Sequence, residues 1–532
     1  MKLRGAAVAL AVSVPSIAAA GGLYLPGAGA VSTSRAGAAV ASTSDGEALI
    51  VNPAGLAKTT GTTITLSAAI IDYAMKFQRS GTYDQIDDAD YAYEGQAYPA
   101  VEDDAAPKLG IGGYQPIPVF AITSDLGGAV PNLRVAVGLY APNSYPFRKM
   151  CTVQSNGACK AYKFNASTEA PSPVRYDNVE QDATIFMPTV AASYRILPEL
   201  DVGARFGVGF AHLKSSLAIW GSPGNVVEDV GKDALFSVDV KDNFVPGFGF
   251  GVAYRPTPFL ELAANFSSAL NLRAKGEAHA ELGPTAGAAG LDVRIGPNDP
   301  GTALCEEGGT DARQRVCVNL QTPATATIGG RYKFLDANGR ERGDLELNLG
   351  WENWGAERAT DFEVIVDAQL YVNDSPTLGL KKNIVSHGFK DTYNARLGGS
   401  WRFPVGDNTL IARAGVGYDT RAAKEGWLRT DFDGAARTTS TIGAGYRTSR
   451  FEVNVGGGFV YEGTNTNAGT CNPTSPQLRG CDGTGDAPIE DRQGPDPIDP
   501  LVNPDQQRQA PVNQGSITSH YVLFMLGVST WF

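Results

Sequence analysis

The sequence is short of charge and of long apolar runs, and each shortage removes a class of protein. Beyond the N-terminus no stretch of about 18 apolar residues occurs, which excludes a bundle of transmembrane helices. Charged residues are 19% of the chain against ~25% in an ordinary soluble domain. The 44 Lys and Arg are outnumbered by 56 Asp and Glu, giving a net charge of −12, so the clustered cations that a nucleic-acid partner needs are missing. Only four histidines occur, His212, His279, His387 and His520, without metal-ligand spacing. There is no G-x-S-x-G, and no enzymatic activity, resident metal or cofactor is expected. A hydrophobic share of 43% still rules out a disordered chain. Glycine is plentiful instead, 63 of 532 residues or about 12% against the usual ~7%. One large β-structure suits these proportions better than several small cores.

Residues 1–20 read as a secretory signal peptide. Lys2 and Arg4 form the basic start, Ala6–Ile17 the apolar run and Ala18-Ala19-Ala20 the cleavage site. Losing the two cations takes the formal charge from −12 to −14. The six cysteines fall into three close pairs, Cys151 with Cys159, Cys305 with Cys317, and Cys471 with Cys481, none with C-x-x-C spacing. In an exported protein the simplest reading is three local disulfides, each stapling one loop.

From about residue 63 onward the pattern has period two. In 345–352, Leu345, Leu347, Leu349 and Trp351 oppose Glu346, Asn348 and Glu352. In 393–403, Tyr393, Ala395, Leu397, Trp401 and Phe403 oppose Asn394, Arg396, Ser400 and Arg402. Successive side chains on a strand point to opposite faces, so each segment has one apolar and one polar or very small face. A soluble sandwich alternates too, but these segments run to about 9–15 residues, the length a tilted strand needs to cross a bilayer. Aromatics such as Trp401, Phe403, Phe451 and Tyr461 sit near their ends, as in interfacial girdles.

Fourteen strands are expected, near 63–77, 109–123, 133–141, 183–195, 199–217, 243–255, 259–277, 322–335, 342–372, 389–403, 408–421, 435–448, 450–463 and 517–532. Reading 342–372 as one long strand keeps the short turns on one side, with both termini periplasmic. The fold class is thus all-β, a transmembrane antiparallel β-barrel of about 14 strands over 63–532. Long outer connections are expected at about 78–108, 142–182, 278–321 and 464–516. The acidic residues of 81–107 (Asp84, Asp87, Asp88, Asp90, Glu94, Glu102, Asp103 and Asp104), and those of 464–516, read as solvated outer faces or as sites for a divalent cation bridging to lipopolysaccharide.

Residues 21–62 do not alternate. Their glycines and Pro53 exclude a lipid-facing strand, leaving either a structureless lead-in or a plug in the lumen. Here Arg35-Ala36-Gly37-Ala38-Ala39-Val40-Ala41, Asp45 and Asn52-Pro53-Ala54 resemble the hatch of the long-chain fatty-acid outer-membrane transporters, the FadL/TodX family. The likeness continues through Val137-Gly138-Leu139-Tyr140-Ala141-Pro142, Ile328-Gly329-Gly330-Arg331-Tyr332, Glu352-Asn353-Trp354-Gly355 and Lys390-Asp391-Thr392-Tyr393 with Arg396-Leu397-Gly398. The terminal Trp531-Phe532 resembles the signal by which the outer-membrane barrel assembly machinery recognises its clients.

The resemblance implies an N-terminal hatch at 21–62, with Arg35, Gly37, Asp45, Asn52, Pro53 and Ala54 as its hatch and gating residues and the Asn52-Pro53-Ala54 turn as the gating element. It implies a monomeric barrel in the outer membrane, in contact with membrane lipid and lipopolysaccharide, that passively takes up hydrophobic molecules such as long-chain fatty acids. Capture would be on outer loops, followed by a pocket above the hatch and lateral release through the wall. The candidate wall strand is 133–142, where Gly138 and Pro142 weaken pairing beside Pro116 and Pro118, although prolines also simply mark strand ends. Asp201, Arg205, Glu261, Arg331, Glu346, Arg396, Arg402 and Arg413 are expected to point inward, mostly as paired structural charges. Tyr521, Leu523, Met525 and Trp531 form a candidate inward apolar wall. The charged lumen keeps open a diffusion porin for polar solutes, and the long stapled loops keep open an adhesin or structural barrel.

Overall fold

The computed structural model describes residues 24–86, 90–164, 169–219, 228–283, 293–297, 305, 313–424, 427–467 and 515–532. The expected signal peptide and nearly all of the 464–516 connection lie outside the described residues.

Alternating sequence gives alternating burial, and the strands close into a ring. They are β1 (Thr62–Arg79), β2 (Gln115–Ser124), β3 (Leu133–Tyr140), β4 (Glu180–Leu197), β5 (Leu200–Ile219) and β6 (Ala234–Tyr254). Next come β7 (Leu260–Ser267, resumed at Leu270–Leu282), β8 (Gln314–Thr322, resumed at Thr325–Leu335), β9 (Glu341–Glu352, resumed at Asp361–Val372) and β10 (Ser375–Ser386, resumed at Thr392–Val405). The ring ends with β11 (Asn408–Asp419), β12 (Arg437–Arg447), β13 (Phe451–Asn467) and β14 (Gly515–Trp531). Neighbours pair antiparallel, and β14 returns to β1 in one unbroken register from Thr63↔Trp531 to Arg79↔Gly515. Closure matters because a free edge in hydrocarbon leaves backbone groups without partners, at several kcal/mol each.

The outward faces are apolar and exposed: Leu345, Leu347 and Leu349 on β9, Val453, Val455 and Phe459 on β13, Phe524, Leu526 and Val528 on β14. The inward faces carry the glycines and charges. The strand count agrees with the periodicity, while four strands differ from it in detail. β7 to β10 each break once; β9, expected to run continuously over 342–372, is interrupted by a helical turn at Glu357–Thr360. β10 begins at Ser375, inside a stretch read as connection, and β7 and β8 extend into the expected 278–321 loop. These extensions lie beyond the belt of exposed apolar residues, where neither face is required to be greasy and the alternation that marks a strand fades.

The long connections are partly structured. Val101–Asp103 pairs with β1 and with Phe147–Val153, which forms a hairpin with Cys159–Ala161 and also pairs with β4. Two of the three expected disulfides are present, joining Cys151 to Cys159 and Cys305 to Cys317. Cys471 and Cys481, the third expected pair, lie outside the described residues.

Candidate functional site

The N-terminal segment 24–61 packs against inward residues of strands around the ring. Its small residues make three short turns, Gly29–Thr33, Ala48–Val51 and Pro53–Lys58. Asn52 holds two of its parts and the wall together. Its Oδ1 accepts from Ala54 N–H (3.1 Å), capping the third turn, and its Nδ2 donates to Val40 C=O (2.8 Å) and to Val252 C=O on β6 (3.3 Å). Pro53 opens that turn, where its missing N–H costs nothing. Glu47 accepts from the N–H groups of Val31 (2.9 Å) and Ser32 (2.8 Å) and from Ser67 Oγ on β1 (3.0 Å).

Arg35, 3% exposed, makes a two-pronged contact with Asp344 (3.0 and 2.8 Å), reaches Glu346 (3.3 Å) and donates from Nε to Ala38 C=O (2.8 Å). Gly37 has φ +80°, and its carbonyl accepts from Asn348 Nδ2 (3.3 Å). Asp45 accepts from Glu47 N–H (3.0 Å). Wall glycines admit this backbone: a methyl group on Gly203 would overlap Pro53 and Ala54, and one on Gly251 would overlap Asn52. Gly398 and Gly415 face Arg35 in the same way.

The inward charges expected from the sequence are partnered. Arg331 binds Asp344 (2.7 Å) and Glu341 (2.6 Å); Glu261 meets Lys58 (2.6 Å), Lys333 (3.2 Å) and Arg331 (3.3 Å). Asp201 joins Arg195 and Arg255, Arg413 joins Glu452, Arg396 joins Asp419 and Arg402 joins Glu341. Arg205 holds Ser267 and the carbonyls of Leu49 and Ile50 in the N-terminal segment. Tyr521, Leu523 and Met525 are buried in an apolar cluster with Tyr73, Ile117, Tyr145 and Leu25. Trp531, at the end of the strand, borders the cavity nearest the short turns, its Nε1 donating to Ser449 C=O (2.7 Å).

Three cavities follow one another along the lumen. The first, about 370 Å³ at the end bearing the short turns, is charged, with Arg35, Asp45, Lys58, Arg331, Arg413 and Glu452 on its walls. The second, about 200 Å³, is bounded by Leu25, Val40 and Ile50 of the N-terminal segment and by Asn265, Asn348, Asn394 and Arg396. The third, about 290 Å³ toward the long connections, is apolar, with Leu213, Phe236, Leu272, Val318, Leu320 and Val364. Pro142 borders both the second and the third.

The third cavity reaches a window in the wall. β3 pairs with β4 only as far as Tyr140↔Met187, and pairing resumes at Phe147↔Asp182. Ala183–Phe186 on β4 therefore have no strand partner on that side. Across the window, β2 leaves β3 at Val119↔Tyr140, so Gln115–Pro118 form the facing edge. Pro118 C=O accepts from Ala141 N–H (3.3 Å), which places the backbone polar groups of Pro118, and of Pro116 two residues before it, on the open side. Neither proline has an N–H to leave unpaired, and Pro116 C=O accepts from Gln115 Nε2 (2.9 Å). The prolines thus make an interrupted edge chemically tolerable.

The chain that could have filled the window, 141–146, turns inward. Asn143 Nδ2 lies within 3.0–3.3 Å of the carbonyls of Leu25, Pro26 and Gly27, and its C=O accepts from Leu25 N–H (2.7 Å). Gly138 itself remains in the ladder, opposite Ala121 and Thr189, where its missing side chain makes room for Leu49. Pro142 is the residue at the break. Nothing in the sequence pointed to Asn143, nor to the cluster of Asp177, His387, Arg429 and Asp431 beside the third cavity, because Asp177 is more than 200 residues from the other three.

A closed barrel with an apolar outer belt, a packed N-terminal segment and an apolar cavity opening on the wall is the architecture of an outer membrane transport protein. The model of the family described as "Outer membrane protein transport protein (OMPP1/FadL/TodX)" matches residues 11–480, and the chain belongs to that family. No curated protein matches it. Among solved structures, a Pseudomonas aeruginosa FadL homologue superposes with a TM-score of 0.63 at 16% identity, over 96% of this chain and 100% of the other. The Ralstonia pickettii toluene transporter TbuX gives a TM-score of 0.57 at 13% identity (96% and 99%). The P. putida toluene transporter TodX gives 0.57 at 15% identity (96% and 99%). At these identities the likeness is one of fold.

Proposed function

We propose that this barrel carries hydrophobic compounds inward across the outer membrane, taking them into the third cavity and releasing them sideways through the window between β2 and β4. The observation that carries the reading is the continuity of that cavity with both window edges, Gln115–Pro118 and Ala183–Phe186. The axial route works against such a cargo. Below the cavity lie an asparagine-lined space and then a charged one, and an alkyl chain moving into them loses roughly 0.8 kcal/mol of favourable burial per CH₂. The side route keeps the chain in apolar surroundings throughout. In this reading the long connections face the exterior, both termini face the periplasm, and 24–61 is the hatch. Its Asn52-Pro53-Ala54 turn shapes the lumen through backbone geometry rather than through chemistry.

The apolar walls fit the alkyl chain of a fatty acid, as the family resemblance suggests, and fit a hydrocarbon equally well. Ala183→Trp, which places an indole at the window edge, tests the route. Uptake of a radiolabelled C12 compound by cells depending on this barrel should fall at least about fivefold. Unchanged uptake would rule out lateral release here. A large steady single-channel conductance through the intact protein would instead favour a porin.

A further inference from the structure

The charged groups around the third cavity are paired with one another. Arg429 is the only Lys or Arg side chain among the described residues lining it, and two carboxylates flank it. It lies 2.7 Å from Asp177 and 3.4 Å from Asp431, and Nη1 donates to Ser386 C=O (3.3 Å). His387, completely buried behind them, places Nε2 2.8 Å from Asp431 and Nδ1 3.3 Å from Thr360 C=O. His212, the histidine that does line the cavity, is 2.7 Å from Asp239. The one guanidinium and the one imidazole of this wall each already face a carboxylate. A ligand carboxylate brought here would meet two anions and no unengaged cation, and a buried charge without a partner is strongly disfavoured.

At the window edge stands a second, independent feature. Gln115 is 7% exposed and lines the cavity, and its Oε1 has no hydrogen-bond partner. The amide orientation is fixed, because Nε2 donates to Pro116 C=O and a flipped amide would set oxygen against oxygen. The vacant position is therefore an acceptor, which a hydroxyl satisfies and a carboxylate cannot.

Resting on the reading of this cavity as the capture site, we propose that it selects uncharged apolar molecules bearing a hydroxyl group, held at Gln115, and rejects carboxylates. The test uses the full chain in nanodiscs at pH 8, where a carboxylate is ionised. Dodecanol, dodecanoate and dodecane compete against the fluorescent apolar probe N-phenyl-1-naphthylamine. Dodecanol should displace the probe about tenfold more effectively than dodecanoate, the scale of one satisfied buried hydrogen bond. Gln115→Leu should bring the ratio of dodecanol to dodecane close to one. Asp177→Asn, which sets Arg429 and His387 against a single carboxylate, should move the dodecanoate-to-dodecanol ratio toward dodecanoate. Dodecanoate matching dodecanol in the native protein, or a dodecanol advantage that survives in Gln115→Leu, overturns the selection. If the probe binds nowhere, or none of the three displaces it, the capture site itself is refuted and the selection with it.

Discussion

Arg35→Ala probes whether the N-terminal segment is latched to the wall. The side chain gives two hydrogen bonds to Asp344, one to Glu346 and one to Ala38 C=O, at 3% exposure. Removing one member of a buried pair costs about 3–5 kcal/mol, mostly because its partner is left uncompensated. The lower end applies here. Asp344 keeps Arg331 and Ser400, and Glu346 keeps the N–H groups of Ala41 and Ser42. A loss of about 3 kcal/mol is roughly two decades in the population with the segment released. The barrel should stay intact, since no strand pairing is touched.

Two measurements read this out. Hydrogen exchange of the backbone amides over 29–58 should accelerate by about a hundredfold while β1 and β14 keep their protection. In planar bilayers the variant should show brief openings of higher conductance than the native protein does. Arg35→Lys, which keeps the charge and loses the two-pronged geometry, should fall between the two. If exchange over 29–58 and conductance are both unchanged in Arg35→Ala, the segment is not held by this contact and the latch argument fails.

Other expectations are as specific. Gly251→Val places a branched side chain on the position of the Asn52 amide, so the segment should be displaced and Val252 left without Nδ2 of Asn52; increased protease cleavage within 24–61 checks this. Replacing Cys151 and Cys159 with serine opens a link of sequence separation 8, worth about 2–3 kcal/mol to the 147–161 hairpin, and limited proteolysis should then cut that hairpin first. Asp433, in the connection between β11 and β12, has its pKa raised to about 7 by burial and by Glu462. A raised carboxyl pKa means that the folded state favours the proton. Its contribution is present at low pH and lost as pH rises through about 7. Thermal stability in detergent should therefore improve from pH 8 to pH 6, and Asp433→Asn should flatten that slope.

Much of this molecule is written in local pattern. Leu345, Leu347 and Leu349 alternate with Glu346 and Asn348 because a strand turns successive residues to opposite faces, and a bilayer on one side with a crowded lumen on the other requires the two faces to differ. The same logic yields fourteen strands, a glycine-rich inner wall and the inward placement of Arg331, Arg413 and Tyr521. Residues 24–61 stand out for the complementary reason, since small residues with proline cannot serve as a membrane strand. The outer halves of β7 to β10 are harder to read, because beyond the bilayer no solvent boundary enforces alternation.

Only the closed tertiary structure decided where the wall opens. Pro116, Pro118, Gly138 and Pro142 all advertise weak pairing, yet Gly138 is fully paired, and the gap lies where β3 ends before β4 does, with Asn143 drawing the intervening chain inward. Register between strands is set by the sum of contacts around the ring, and no single segment contains it. The same holds for Asp177, His387, Arg429 and Asp431, residues of three connections whose charged groups meet only once they share a buried space. Sequence shows which side of each strand meets lipid; the assembled barrel decides which groups meet one another, because charge compensation and shape are properties of neighbours in space.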